Sequence, residues 1–276
     1  MKSLFMALFV FLIVSCNSDD DDNFGKDYKA ENEQEIQAYI ATNNLDATRS
    51  SSGLYYVVDV EGDGAAISSV SDVSVRYKGY YTDDTLLEEN TEGVSFNLQQ
   101  VIPGWQEGLQ YFNEGGSGML LIPSHLAYGS EDFNGIPGGS VLIFEIEVID
   151  YDVENEEEIV KYIEDNNLDA TASGTGLYYV IEEEGTGDQP EADSNVTVVY
   201  KGYFTNGSVF DESDEIGISI NLNQVIPGWT EGMQYFKEGG SGKLLIPSSL
   251  AYGRYGNSTI PNGAVVIFDV NLKSVN

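Results

Sequence analysis

The six residues "QVIPGW" at Gln100–Trp105 recur without change at Gln224–Trp229. A string holding a Trp, a Pro and two β-branched residues rarely recurs by chance, so internal repetition is the first question. Further pairs answer it. "NNLDAT" stands at 43–48 and 166–171, "GLYYV" at 53–57 and 176–180, and "YKGY" at 77–80 and 200–203. These early pairs are offset by 123, as Tyr200 is from Tyr77. The later ones are offset by 124, as Trp229 is from Trp105, Tyr252 from Tyr128 and Phe268 from Phe144. One residue was gained or lost between "YKGY" and "VIPGW", which predicts a tolerant loop there. The spacing describes two compact domains of about the same size, expected at 31–151 and 152–276.

Each repeat is read as an α+β domain. An opening helix is expected from Ile36, Tyr39 and Ile40, which recur as Ile159, Tyr162 and Ile163 at helical spacing. Asn32 with Glu35, and Asn155 with Glu158, have the spacing of an N-cap and a capping-box carboxylate. The apolar stripe is expected to pack on the domain that follows; a dimerisation helix is the alternative. After the helix the pattern turns to strands. Val73, Val75 and Tyr77 alternate with Ser74, Arg76 and Lys78, and Leu142, Phe144, Ile146 and Val148 with Glu145 and Glu147. The matching inward positions of the second repeat are Val196, Val198, Tyr200, Val266, Phe268, Val270 and Leu272. A helix returns only at "PGWTEGM", where Pro suits a first turn.

The chain has 276 residues, 30 Gly and 18 Tyr, which fits strands and turns, and a formal charge of −34. That charge repels phosphate backbones and argues against nucleic acid as a partner. With one Cys and one His there is no intramolecular disulfide and no Cys/His zinc site. The acidic run Asp19–Gly25 puts Phe24 where a calcium loop needs Gly, so no metal is expected. No cofactor is expected either.

At the start, Lys2 precedes eleven apolar residues, Leu4–Val14, and then Ser15-Cys16. This is the pattern of a signal peptide over 1–15, too short to span a bilayer. "IVSC" resembles a bacterial lipobox, which makes Cys16 the expected site of lipidation and a membrane anchor. An ordinary signal peptide with an incidental Cys is the alternative. Residues 16–30, with Asp19–Asp22, read as an acidic disordered tether. The Ser-Asp run also resembles the signal carrying some lipoproteins to the outer face of the outer membrane; a plain acidic spacer would look the same.

"VYKGYFTNGSVFDES", "VIPGWTEGM", "LLIPSSLAYG" and "IPNGAVVIFDV", in that order, resemble the FK506-binding-protein (FKBP) type of peptidyl-prolyl cis-trans isomerase. The likeness covers roughly 53–150 and 176–276. It implies two tandem domains, each an antiparallel half-barrel sheet wrapped around a short helix, with a shallow aromatic pocket between. Carried onto the second repeat, it implies Trp229 as the pocket floor. Tyr200, Phe210, Val225, Ile226, Tyr252, Ile260 and Phe268 become walls, Asp211 a polar rim, and the Ile226 N–H a donor to the substrate carbonyl. It further implies proline-containing polypeptides as substrates and an FK506-like macrolide as a ligand.

The first repeat keeps Tyr77, Phe96, Val101, Ile102, Trp105, Tyr128, Ile136 and Phe144 as a substrate-binding set. It replaces Phe210-Asp211 by Leu87-Glu88, so the second repeat is expected to be the competent one. His125 has Ser249 as its counterpart, which excludes a catalytic role common to both copies. "GGSGK" at 239–243 lacks the Ser or Thr of a phosphate loop and is read as a turn. The leading expectation is an envelope isomerase, anchored to the outer membrane and displayed at the surface. A chaperone-like or adhesive lipoprotein that grips chains without speeding rotation is the alternative.

Overall fold

A computed structural model describes residues 26–276. The expected signal segment, Cys16 and most of the acidic stretch lie outside the described residues. The chain divides into two compact units between Asp150 and Tyr151. The first contains α1 (Lys29–Asn43), β1 (Thr48–Arg49), β2 (Tyr55–Val60), β3 (Asp72–Tyr80), β4 (Leu86–Asn97), α2 (Pro103–Gly108), β5 (Ser117–Ile122) and β6 (Leu142–Val148). The second contains α3 (Tyr151–Asp165), β7 (Thr171–Ala172), β8 (Tyr178–Glu183), β9 (Asn195–Tyr203), β10 (Val209–Glu212), β11 (Ile218–Asn221), α4 (Pro227–Gly232), β12 (Ser241–Ile246) and β13 (Val266–Val275). Lys29 and Ala30, at the end of the expected tether, are already helical.

Both sheets are antiparallel and open, in the orders β1-β2-β5-β6-β3-β4 and β10-β9-β13-β12-β8-β7, with β11 also on β9. Where a sheet is covered on both faces its strand reads as a short apolar run, Leu120–Ile122 in β5 and Leu244–Ile246 in β12. In β5, Leu120 and Ile122 face α2 and Trp105, whereas Leu121 faces Ile36 of α1. The second unit repeats this with Leu244 and Ile246 against Leu245 and Ile159. The apolar stripe of each opening helix thus packs on its own domain. In "GGSGK", only Gly239-Gly240 turn; Ser241–Lys243 enter β12, where Lys243 pairs with Asp269 at 2.7 Å.

The glycines of "PGWxEG" have a packing reason. A Cβ on Gly228 would lie 2.3 Å from Ile246 Cγ2, and one on Gly232 2.5 Å from Leu244 Cδ2. Bare backbone at this helical spacing seats α4 flush on β12 and fixes Trp229 against the sheet. Gly104 does the same in the first unit, 2.4 Å from Ile122 Cγ2.

The capping-box expectation is overturned. The opening helices begin upstream, at Lys29 and Tyr151, and Asn32 and Asn155 lie inside them, 1% and 2% exposed. Their amides reach across the fold. Asn155 Nδ2 donates to the Gly263 carbonyl at 2.8 Å, and its Oδ1 accepts from Ser248 N–H at 2.6 Å. Asn32 does the same with Gly139 at 2.7 Å and Ser124 at 2.9 Å. The carboxylates go elsewhere too: Thr82 donates to Glu35 and Thr205 to Glu158. A buried amide that satisfies two backbone groups of a distant loop avoids a desolvation cost no local cap could offset.

Candidate active site

In the second domain, Pro227 occupies the first position of α4, where its missing N–H costs nothing. Ile226 is extended, and its carbonyl accepts from Trp229 N–H at 2.9 Å and Thr230 N–H at 3.2 Å. Among the described residues, the Ile226 N–H has no acceptor. The Trp229 ring meets Tyr200 and Phe268 edge-on, both at 5.2 Å between centroids. This T-shaped arrangement suits the quadrupoles of all three rings.

Above them lies a hollow of about 380 Å³, lined by Tyr200, Asp211, Ile218, Ile220, Gln224, Val225, Ile226, Trp229, Tyr252 and Phe268. Trp229 is 4% exposed and Nε1 finds no acceptor. One polar pair sits in the rim: Tyr200 hydroxyl donates to Asp211 Oδ2 at 2.7 Å. Burial, then the Asp211 carboxylate, pushes the Tyr200 phenol up to about 12; burial and Asp211 also raise Tyr252. Both phenols therefore stay protonated near neutral pH, and that of Tyr200 donates to Asp211. Nothing here assembles a nucleophile with a base. The site is a mainly apolar, ring-lined surface with the Tyr200–Asp211 pair in its rim.

Most of the residues expected from sequence converge on this hollow. Phe210 stands behind it, edge-on to Phe268 at 5.5 Å and against Gly202, where a Cβ would lie 2.7 Å from its ring. Ile260 is buried in the core at 3% exposure. Three lining residues were missed: Ile218, Ile220 and Gln224. Ile218 and Ile220 alternate with Ser219, and Gln224 belongs to the repeated string, so the signal for them was present. The extra residue of the second repeat lies beside this hollow. There β10 and β11 are separated by a turn at 213–217, whereas β4 of the first domain runs unbroken. Asp214 Oδ1 accepts from Ile216 and Gly217 N–H at 3.0 Å to close that turn.

The first domain holds the same rings more tightly. Trp105 is fully buried beneath Tyr77 and Phe144, at 5.2 Å each, and Phe96, at 5.6 Å. Phe96 stands where the second domain has Ile220. Val101 and Ile102 are buried, whereas Val225 and Ile226 are half-exposed. Tyr128 is stacked under Phe133 at 5.0 Å, a ring with no counterpart in the second domain, where Asn257 takes its place. Ile136 is buried in the core, and Leu87 packs against it half-buried. His125 is exposed, with Nε2 3.0 Å from the Ser52 carbonyl.

Glu88 is half-buried and hydrogen-bonded to Tyr77, whereas Asp211 is exposed. Burial lifts the Glu88 carboxyl above the usual carboxylate range, opposed by the Tyr77 hydrogen bond. Tyr77 itself is raised by burial and by Glu88, and Tyr128 goes up to about 12 for the same two reasons. For an acid with a raised folded pKa, the stability contribution is complete below its unfolded value and is lost as pH rises through the folded one. Glu88→Gln is therefore expected to raise the thermal midpoint of the first domain at pH 7 and leave it nearly unchanged at pH 4. An equal shift at both pH values would contradict the buried-carboxyl assignment.

A family model described as FKBP-type peptidyl-prolyl cis-trans isomerase matches residues 64–149 and 187–273, one copy in each domain. The chain is 42% identical over 127 residues to "FKBP-type peptidyl-prolyl cis-trans isomerase FkpA" of Aeromonas hydrophila, covering 45% of this chain but only 47% of that protein. It is 32% identical over 200 residues to the protein of the same name in Escherichia coli strain K12, covering 71% of each. Among solved structures, "Crystal structure of FkpA from Escherichia coli" aligns with a TM-score of 0.42 at 40% identity, over 45% of this chain and 60% of that one.

Proposed function

The chain belongs to the FKBP-type peptidyl-prolyl cis-trans isomerases, and we propose that its second domain carries most of the turnover. The observation behind this reading is the hollow over Trp229, set against the full burial of Trp105. Rotation about an Xaa-Pro bond meets a barrier of ~18–20 kcal/mol, because the planar amide has partial double-bond character. The planar form is the more charge-separated one, so a site that strips water from it favours the twisted form. Trp229 would lie under the prolyl ring, with Tyr200, Tyr252 and Phe268 around it. The Ile226 N–H would hold the preceding carbonyl, and Asp211 would fix the Tyr200 hydroxyl. Each ~1.4 kcal/mol of preference for the twisted form is tenfold in rate. The first domain, with its rings closed over, would bind prolyl segments weakly.

The substrates in this reading are proline-containing polypeptides of the cell envelope, and an FK506-like macrolide would compete for the hollow. An acylated Cys16 would tether the protein to the outer membrane, with the Ser-Asp run as a signal for display at its surface. Among the described residues, no helix is long and apolar enough to cross a membrane. The test is an Xaa-Pro isomerisation assay on residues 26–150 and 151–276 prepared separately. The second fragment is expected to exceed the first at least about tenfold in kcat/KM; equal turnover by the two would refute the assignment.

A further inference from the structure

Asn155 ties two ends of one loop to α3. Its Oδ1 holds the N–H of Ser248, its Nδ2 holds the carbonyl of Gly263, and between those residues run Tyr252 and Ile260. Tyr252 lines the hollow. One turn before Asn155, the Tyr151 ring lies against Gly263, where a Cβ would fall 1.9 Å from Cε1. The first domain repeats the device: Asn32 bridges Ser124 and Gly139, and the Tyr28 ring lies 2.4 Å from where a Gly139 Cβ would be. The matched family segment begins at residue 187, so α3, which ends at Asp165, lies outside it.

We propose that Asn155 is a positioning residue for the isomerase site: through it, α3 sets the loop that presents Tyr252 to the substrate. The inference rests on placing turnover in the second domain. Three backbone bonds tie the loop to itself. Gly253 N–H reaches the Ser248 carbonyl at 2.8 Å, Asn257 N–H the Ile260 carbonyl at 2.8 Å, and Gly263 N–H the Gly253 carbonyl at 3.3 Å. These turns shape the loop on itself, and Asn155 bonds both of its ends to a helix. The amide is 2% exposed, so both bonds are made away from bulk solvent. Losing it leaves one donor and one acceptor of the loop base unpaired, and the loop drifts from the Trp229 floor. Misplacement of a wall by about 1 Å is enough to cost a large factor in rate.

The test compares Asn155→Ala, Asn32→Ala and Trp229→Leu in the full chain by kcat and KM on an Xaa-Pro peptide, with hydrogen exchange of the loop amides. Asn155→Ala is expected to lower kcat/KM about tenfold, mainly by raising KM. It should speed exchange at Gly253, Asn257 and Ile260 while the β13 amides keep their protection. Asn32→Ala, the same lesion in the other domain, should leave turnover within about twofold. Asn155→Ser adds no charge and keeps one hydroxyl that can serve a loop group; its turnover should fall between wild type and Asn155→Ala, and it carries the test should the alanine variant not fold. The proposal is overturned if folded Asn155 variants keep wild-type kcat/KM while Trp229→Leu abolishes it, or if Asn32→Ala is as damaging as Asn155→Ala. Wild-type turnover in Trp229→Leu would instead remove the reading of the site on which the proposal stands.

Discussion

Trp229→Leu is expected to lower kcat/KM on a short Xaa-Pro peptide by about 100-fold, whereas Trp105→Leu changes it less than about twofold. The indole is the largest ring lining the hollow, and Tyr200 and Phe268 stand edge-on to it at 5.2 Å. A branched aliphatic chain keeps the site dry but offers no plane against which a prolyl ring can turn. Leucine is preferred to alanine because Trp229 is also core: it packs with Met233, Leu244 and Ile246. Truncation to Ala would cost about 3–5 kcal/mol, a large share of a domain's stability of ~5–15 kcal/mol. At 4% exposure the ring is part of the fold as well as of the site. Thermal unfolding of both leucine variants, measured beside their kinetics, separates lost turnover from lost structure.

Gly228→Ala should destabilise the second domain by about 1–3 kcal/mol and lower turnover with it. The new methyl would lie 2.3 Å from Ile246 Cγ2 and 3.0 Å from Cδ1. Ile246 is fully buried and β-branched, so it has little freedom to give way. Relief comes instead from lifting α4 off β12, which moves the Trp229 floor. A double-mutant cycle identifies the cause. Ile246→Ala removes the obstructing atoms, so Gly228→Ala/Ile246→Ala should lose less stability than the two single changes together. Strict additivity would mean that the glycine is required for another reason.

Much of this architecture was legible along the chain. The alternation in Val196–Tyr200 and Val266–Leu272 reports a sheet face, and the repeated string marks the helix that covers it. Local pattern failed where a residue acts at long range. Asn32 and Asn155 have the spacing of caps, yet their partners lie 107 and 108 residues away in Gly139 and Gly263. The recurring Tyr28/Asn32 and Tyr151/Asn155 pairs were a signal for the clamp, but only the fold says what they hold. The inequality of the two domains was partly readable in Leu87-Glu88. Its larger part lies in depth, through Phe96 in place of Ile220, Phe133 over Tyr128 and the half-buried Glu88. Depth depends on how neighbouring strands pack, which no single stretch encodes.

The hollow of the second domain is expected both to grip a prolyl segment and to speed its rotation. Exchange spectroscopy of a labelled Xaa-Pro peptide, with residues 26–276 at substoichiometric concentration, tests both halves at once. Cis–trans exchange should accelerate in proportion to protein, with peptide-induced shifts concentrated at Tyr200, Ile220, Ile226, Trp229 and Tyr252. Shifts at those residues with the exchange rate unchanged would contradict it and leave a module that holds proline-containing chains without turning them over.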